Sequence, residues 1–196
     1  MFTGIIQDIG FISHKDNGLY QVLTNIDLTN CKDGSSISCN GVCLTVKNIK
    51  KNDNDDFIFE VNIGEETLSR TNLGDVISNN KKINLERSLR IGDEIGGHFV
   101  YGHVDTTTII TEIKKLDNSW EYYFDKNFNK NNIFINEKAS ISINGISLTV
   151  AKVDKKNFMT SIIDHTFNNT NLKFLKVNEK VNIEFDYLAR FVLNNE

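Results

Sequence analysis

The sequence predicts an all-β fold: two homologous six-stranded antiparallel Greek-key barrels in tandem, followed by a short C-terminal helix. Two observations carry this expectation. The phrase SISCNGVCLTV at residues 36–46 returns as SISINGISLTV at residues 140–150, identical at eight of eleven positions. The rest of the chain is built from short runs rich in β-branched and aromatic residues, parted by clusters of Asn, Asp, Gly and Lys, the pattern of many short strands with turns between.

The repeat extends beyond one phrase. GEETLSRTNLG (64–74) is matched by DHTFNNTNLK (164–173), KINLE (82–86) by KVNIE (180–184), and more faintly FIFEV (57–61) by FMTSI (158–162). All four matches keep the same order in each half. Two copies with a period near 100 residues make a pair of domains, not a solenoid. The halves meet in the Gly-rich stretch GDEIGGHFVYGHVD (92–105). Residues 1–97 are assigned to the first barrel, 98–185 to the second and 186–196 to the helix.

In chain order, FTGII, YQVLTNI, VCLTVKNI and FIFEVNI read as strands of the first half, and TTTIITEI, EYYF and SLTVAKV as strands of the second. Asn40-Gly41 and Asn144-Gly145 each separate two such runs. Asn-Gly tolerates positive φ at both central positions of a tight turn, so each pair predicts a two-residue hairpin. EETLSRTNLG and HTFNNTNL predict short helical turns, and Leu188, Phe191 and Val192 fall at helical spacing in DYLARFVLNN. Many short strands in so small a unit are satisfied by closing the sheet on itself.

Composition excludes several classes. The chain has 196 residues, long enough to bury roughly 70% of its unfolded surface without a metal or disulfide staple. The net charge of −4 comes with no basic stripe, which argues against a nucleic-acid partner. No apolar run approaches the roughly 20 residues of a membrane span. The start, MFTGIIQDIG, lacks the basic-then-apolar order of a signal peptide. Cys31, Cys39 and Cys43 are odd in number and include no CxxC, so neither a disulfide framework nor a zinc site is expected, and a reducing cytoplasmic setting fits best.

The repeated hairpin is also the first candidate site. Side chains alternate along a strand, so Val42, Leu44 and Val46 should fill one barrel and Ile146, Leu148 and Val150 the other. Cys43, Thr45 and Lys47 then face outward, as do Ser147, Thr149 and Ala151. Cys43 and Ser147 read alone are ordinary half-buried fillers. A small nucleophile-like group followed by Thr on the same face of both repeats instead suggests two similar half-sites. His98 and His103, flanked by Gly97 and Gly102, can serve as acid or base near neutrality or be satisfied structurally. With only His14 and His165 besides, and no HExxH, no metal site is expected. Thr67, Thr71, Thr166 and Thr170 cap short helices or bring helix N–H groups to a ligand, and Asp186 is a helix cap or a carboxylate at a cleft edge.

Together these motifs closely resemble the riboflavin synthase family of the α-subunit type. The likeness runs in order through MFTGII, NGVCLTV, EETLSRTNLG, INLERSL, GDEIGGHFVYGHVD, NGISLTV and VNIEFD, essentially the whole chain. It implies two six-stranded barrels, a C-terminal helix through which members trimerise, and a site between the first barrel of one subunit and the second of another. It implies dismutation of two molecules of 6,7-dimethyl-8-ribityllumazine into riboflavin and 5-amino-6-ribitylaminouracil, with no cofactor or metal. Association with lumazine synthase is a further partner expectation.

The residues carried over by this resemblance fall in two groups. Phe2, Thr3, Gly4, Ile5 and Ile6, Cys43, Leu44 and Thr45, and Asn62, Ile63, Gly64, Glu65, Glu66 and Thr67 would line the first pocket. Gly102, His103 and Val104, Lys138, Ser147, Leu148 and Thr149, and Ile162, Ile163, Asp164, His165 and Thr166 would line the second. His103 would assist loss of a proton from the C7 methyl, and Ser147 would supply or position the nucleophile that adds to C7 of the other substrate. Cys43 and Asp186 would tune the reacting pair, and His98 would support the site. Three departures stand out: Asn144 where the family's second repeat usually has Asp, Asp164 where many members have Pro, and a short C-terminal helix, which implies a trimer weakened at low concentration. The alternative is a non-catalytic lumazine- or flavin-binding antenna protein; a flavin reductase module is disfavoured because no GxGxxG is present.

Overall fold

The computed structural model describes residues 1–193, so residues 194–196 of the expected C-terminal helix lie outside the described residues. The first half closes a barrel from β1 (Asp8–Asp16), β2 (Leu19–Thr24), β3 (Ser36–Cys39), β4 (Val42–Lys51), β5 (Phe57–Asn62) and β6 (Lys82–Arg87), in the circuit β1-β2-β5-β4-β3-β6. The second half repeats that circuit with β7 (Thr106–Lys115), β8 (Ser119–Asp125), β9 (Ser140–Ile143), β10 (Ile146–Val153), β11 (Asn157–Ile163) and β12 (Lys180–Phe185). All neighbouring strands are antiparallel.

Alternation fills each barrel. Val22, Ile37, Val46, Phe59, Val61, Ile83 and Leu85 are fully buried in the first, and Ile110, Phe124, Ile143, Val181 and Ile183 in the second. Each such side chain contributes about 1.5–3 kcal/mol by leaving water. Leu73 of α2 (Leu73–Ser78), which follows α1 (Glu65–Arg70), plugs the first barrel. Leu172, just after α3 (Asp164–Asn169), plugs the second. Thr71 bridges its two helices, donating from Oγ1 to the Thr67 carbonyl at 2.7 Å and accepting from Leu73 N at 3.3 Å. Thr170 does the same with Thr166 (2.8 Å) and Leu172 (3.4 Å), so the capping role falls on the second Thr of each repeat. The helix α4 (Tyr187–Leu193) follows β12 directly.

One expected strand is absent: FTGII is not part of either barrel. Among the described residues its only ladder contact is a bridge between Phe2 and Val100, with N–H···O bonds of 2.7 and 3.0 Å. The first strand starts instead at Asp8, in a stretch whose polar side chains hide the alternation.

The two barrels dock through the repeated turns. Asn40 and Gly41 (φ 49° and 79°) face Asn144 and Gly145 (φ 48° and 80°). A Cβ on Gly41 would lie 2.7 Å from Gly145 N, and one on Gly145 2.7 Å from Gly41 N, so side chains there would force the barrels apart. Six buried asparagines, three from each repeat, surround the contact: Asn40, Asn72 and Asn84, and Asn144, Asn171 and Asn182. Their bonds obey a local two-fold. Asn72 N donates to Asn182 Oδ1 and Asn171 N to Asn84 Oδ1, both at 2.6 Å. Asn72 Nδ2 reaches Asn144 Oδ1 (3.0 Å) while Asn171 Nδ2 reaches Asn40 Oδ1 (3.1 Å). Each link crosses from one barrel to the other.

Candidate functional site

The site begins with the alternation of β4 and β10. Leu44 and Leu148 point inward and belong to the barrel cores, so a ligand outside would meet only their backbone. Cys43 and Ser147 point outward and are half-buried, and Thr45 and Thr149 lie exposed one pleat further along.

What covers these outward faces differs from the expected grouping. The segment after Met1 runs along the second barrel, where Ser147 N donates to Gly4 O at 2.8 Å. The segment after Val100 runs along the first barrel, where Cys43 N donates to Gly102 O at 2.9 Å. Ile6 packs against the second core and Val104 against the first. The two crossing segments are therefore exchanged: residues 2–6 accompany Ser147, and residues 102–104 accompany Cys43. The approach is tight. Gly4 (φ +75°) and Gly102 (φ +79°) hold left-handed conformations, and an added Cβ would come within 2.6 Å of Ser147 and 2.5 Å of Cys43.

Each crossing segment is clasped by a buried carboxylate. Glu86 of β6 accepts from Thr3 N (2.7 Å), Thr3 Oγ1 (2.9 Å) and Gly4 N (3.0 Å). Glu184 of β12 accepts from Tyr101 N (2.6 Å), Gly102 N (2.8 Å) and His103 N (3.0 Å). Burial pushes both carboxyls above their ordinary range, opposed by these backbone bonds. In the sequence these two residues stand out only as part of the repeated KINLE and KVNIE and of the family-like INLERSL and VNIEFD; the Glu shared by both was the available signal.

At the second barrel, His98 Nδ1 lies 2.6 Å from Ser147 Oγ. Burial lowers the His98 pKa, and the charge of Asp186 partly offsets this. Gly97 permits the approach, since a Cβ there would sit 2.7 Å from Ser147 Cβ. Asp186 accepts from Leu188 N at 3.0 Å, so it caps α4 while its charge reaches His98. His103 is exposed and belongs to the Cys43 side, its ring centroid 6.3 Å from that of Tyr101.

The remaining expected residues frame these faces. Asn62, Gly64, Glu65 and Glu66 are exposed where β5 turns into α1, with Thr67 half-buried, and Asn62 Oδ1 accepts from Lys47 Nζ at 2.9 Å. Ile163, Asp164 and His165 are exposed at the matching corner into α3, with Thr166 half-buried. Ile63 and Ile162 are core residues, and Phe2 and Thr3 are buried beneath their segment. Lys138, exposed with φ 71°, donates from its backbone to Val150 O at 2.8 Å. Exposed Ile5 borders a cavity of about 370 Å³ that also meets Thr3, Glu86, Arg87, Arg90 and Gly96. Among the described residues no cluster of three or more His, Cys, Asp or Glu is arranged to hold a metal.

The arrangement offers two like platforms, one with Cys43 and His103 and one with Ser147 and His98. Comparison with known proteins bears on what they hold. The lumazine binding domain family matches residues 3–88 and again 101–186. The riboflavin synthase of Actinobacillus pleuropneumoniae is 41% identical, the match covering 98% of this chain and 88% of the relative. That of Brucella abortus is 39% identical, with 97% and 96% covered. Two solved structures of LumP, one complexed with riboflavin and one with 6,7-dimethyl-8-(1'-D-ribityl) lumazine, superpose with TM-scores of 0.76 and 0.75. Each is 21% identical and covers 94% of this chain and 99% of its own, a likeness of fold.

Proposed function

The chain belongs to the lumazine-binding family of riboflavin synthases, and from that premise we propose how its two platforms divide the work. The reaction is a dismutation of two 6,7-dimethyl-8-ribityllumazine molecules, giving riboflavin and 5-amino-6-(D-ribitylamino)uracil. The enzyme is a transferase of a four-carbon unit between like substrates, and an antenna role is not favoured. Two identical substrates call for two similar pockets, which a duplicated barrel supplies. Holding the two rings in contact removes several kcal/mol of the entropic barrier, on the order of 7–11 in well-oriented cases.

The observation that carries the division of roles is the 2.6 Å contact between His98 Nδ1 and Ser147 Oγ. A neutral His98 accepts the hydroxyl proton as Ser147 Oγ adds to C7 of the lumazine on the second barrel. On the first barrel, His103 assists loss of a proton from the C7 methyl of the other lumazine. The resulting carbanion is delocalised into the ring and attacks its activated partner. Cys43 and the 62–67 corner position the first lumazine; Thr149, Lys138 and the 162–166 corner position the second.

The complete site forms between chains in a homotrimer. The support is the apolar surface of α4, where Leu188 and Val192 are each 65% exposed. Three free cysteines fit a cytoplasmic setting. Association with lumazine synthase is part of the same reading. Incubation with 6,7-dimethyl-8-ribityllumazine tests the assignment: riboflavin should appear with one uracil product per riboflavin, and tight binding without turnover would overturn it.

A further inference from the structure

Glu86 and Glu184 are 3% and 6% exposed, yet all the bonds described above for each go to one crossing segment. Each stands on the last strand of its barrel, and its segment lies on the outward face of the other barrel. From Glu184 on the second barrel the chain of contacts runs through Gly102 to Cys43 on the first. From Glu86 on the first barrel it runs through Gly4 to Ser147 on the second. Both glycines are backed so closely against their strands that a shift of the segment must move the platform surface with it.

We propose that Glu86 and Glu184 are positioning residues with exchanged control: each sets the half-site on the barrel to which it does not belong. This rests on reading the Cys43 and Ser147 faces as lumazine half-sites. The carboxylate is suited to the task because both its oxygens accept. Glutamine keeps one acceptor and turns an amide donor toward a backbone N–H, so part of the clasp opens and the segment drifts from its strand. Neither Glu reaches the Cys43 or Ser147 side chain in the bonds above, so the effect travels through the backbone of residues 3–4 or 101–103.

The test reads each half-site separately. Iodoacetamide labelling with peptide mass mapping reports the half-exposed Cys43, distinguished from Cys31 by its peptide. A Ser147→Cys background gives the same readout at the second platform. Lumazine is titrated as the protecting ligand. Glu184→Gln should raise the concentration for half-protection at Cys43 about tenfold, the loss of a bond to a charged group. Protection at position 147 should stay within about twofold. Glu86→Gln should give the opposite pattern, and Glu→Asp variants, which keep the charge and shorten the reach, serve where a Gln variant does not fold. Equal weakening of both half-sites, or weakening on the variant's own barrel, overturns exchanged control. Failure of lumazine to protect Cys43 in the unaltered protein overturns the half-site reading itself.

Discussion

His98 and Ser147, 49 residues apart in sequence, meet at 2.6 Å between Nδ1 and Oγ. The histidine comes from the linker and the serine from β10, and the pair forms only because Gly97 lets the linker lie against the strand. Ser147→Ala should lower kcat about 100-fold or more if the hydroxyl reacts under base assistance. Lumazine binding to the first barrel should be nearly unchanged. Single-turnover riboflavin formation alongside equilibrium titration separates the two effects, and an unchanged kcat would remove Ser147 from the chemistry.

The same pair sets a pH limb. Burial holds the His98 ring below the ordinary imidazole value of about 6.5. In the proposed roles it is the neutral ring that accepts the serine proton, so activity should rise as pH climbs through the lowered pKa and level off above about 6.5. Stability has the same sign. Between the lowered folded value and the ordinary unfolded value the unfolded chain binds more protons, so acid removes stability in that window. Asp186→Asn deletes the charge that raises the His98 pKa and should move the limb of kcat to lower pH. A limb that moves upward or stays fixed would dissociate His98 from the profile.

At the barrel contact, Gly41→Ala should be costly for two separable reasons. Its φ of 79° costs a side chain roughly 1–2 kcal/mol, and the added methyl meets Gly145 N. Urea unfolding should show a loss of more than about 2 kcal/mol, whereas Gly34→Ala, also at positive φ but with open space around it, should show only the conformational part.

The asparagine cluster predicts coupling across the barrels. Asn72→Ala keeps the backbone bond from residue 72 to Asn182 Oδ1, removes the 3.0 Å bond to Asn144 Oδ1, which retains Asn182 N at 2.8 Å, and takes from Asn40 Nδ2 its 3.4 Å acceptor. Leaving a buried polar group unsatisfied costs about 1–3 kcal/mol. A double-mutant cycle of Asn72→Ala with Asn144→Ala should give a coupling energy of about 0.5–3 kcal/mol, and strict additivity would deny the cross-barrel bond.

Much of this was legible in the chain. The doubled hairpin announced itself because Asn-Gly permits few alternatives at a tight turn, and β4 and β10 alternate cleanly. The first strand was not legible, since in DIGFISHKD the inward position next to Ile12 is Gly10, the apolar Phe11 faces outward, and a polar run, Ser13 to Asp16, ends the strand. FTGII has the β-branched content of a strand but spends its backbone on Val100, Glu86 and Ser147. Local pattern reports what a segment can do, not which barrel it will lie against. That is why the segments at residues 2–6 and 102–104 lie against the barrels opposite to those expected. The asparagines were visible as repeat markers, but their purpose appears only when two halves face each other.

The helix α4 gives the last prediction. It is held by an ion pair between Arg190 and Asp105, and Asp105 also accepts from Phe185 N at 2.9 Å. That anchor fixes the helix to the second barrel and leaves Leu188 and Val192, one turn apart, facing outward. Apolar side chains four apart form a stripe that a trimer would bury. Leu188→Glu with Val192→Glu puts charge into that stripe without touching the barrels. In sedimentation velocity the unaltered protein should run as the proposed trimer, and the double variant as a smaller species at the same concentration. Its specific activity should fall as the enzyme is diluted, because half-sites on separate chains no longer meet. A variant that is monomeric at every concentration yet fully active would show that a single chain completes the site.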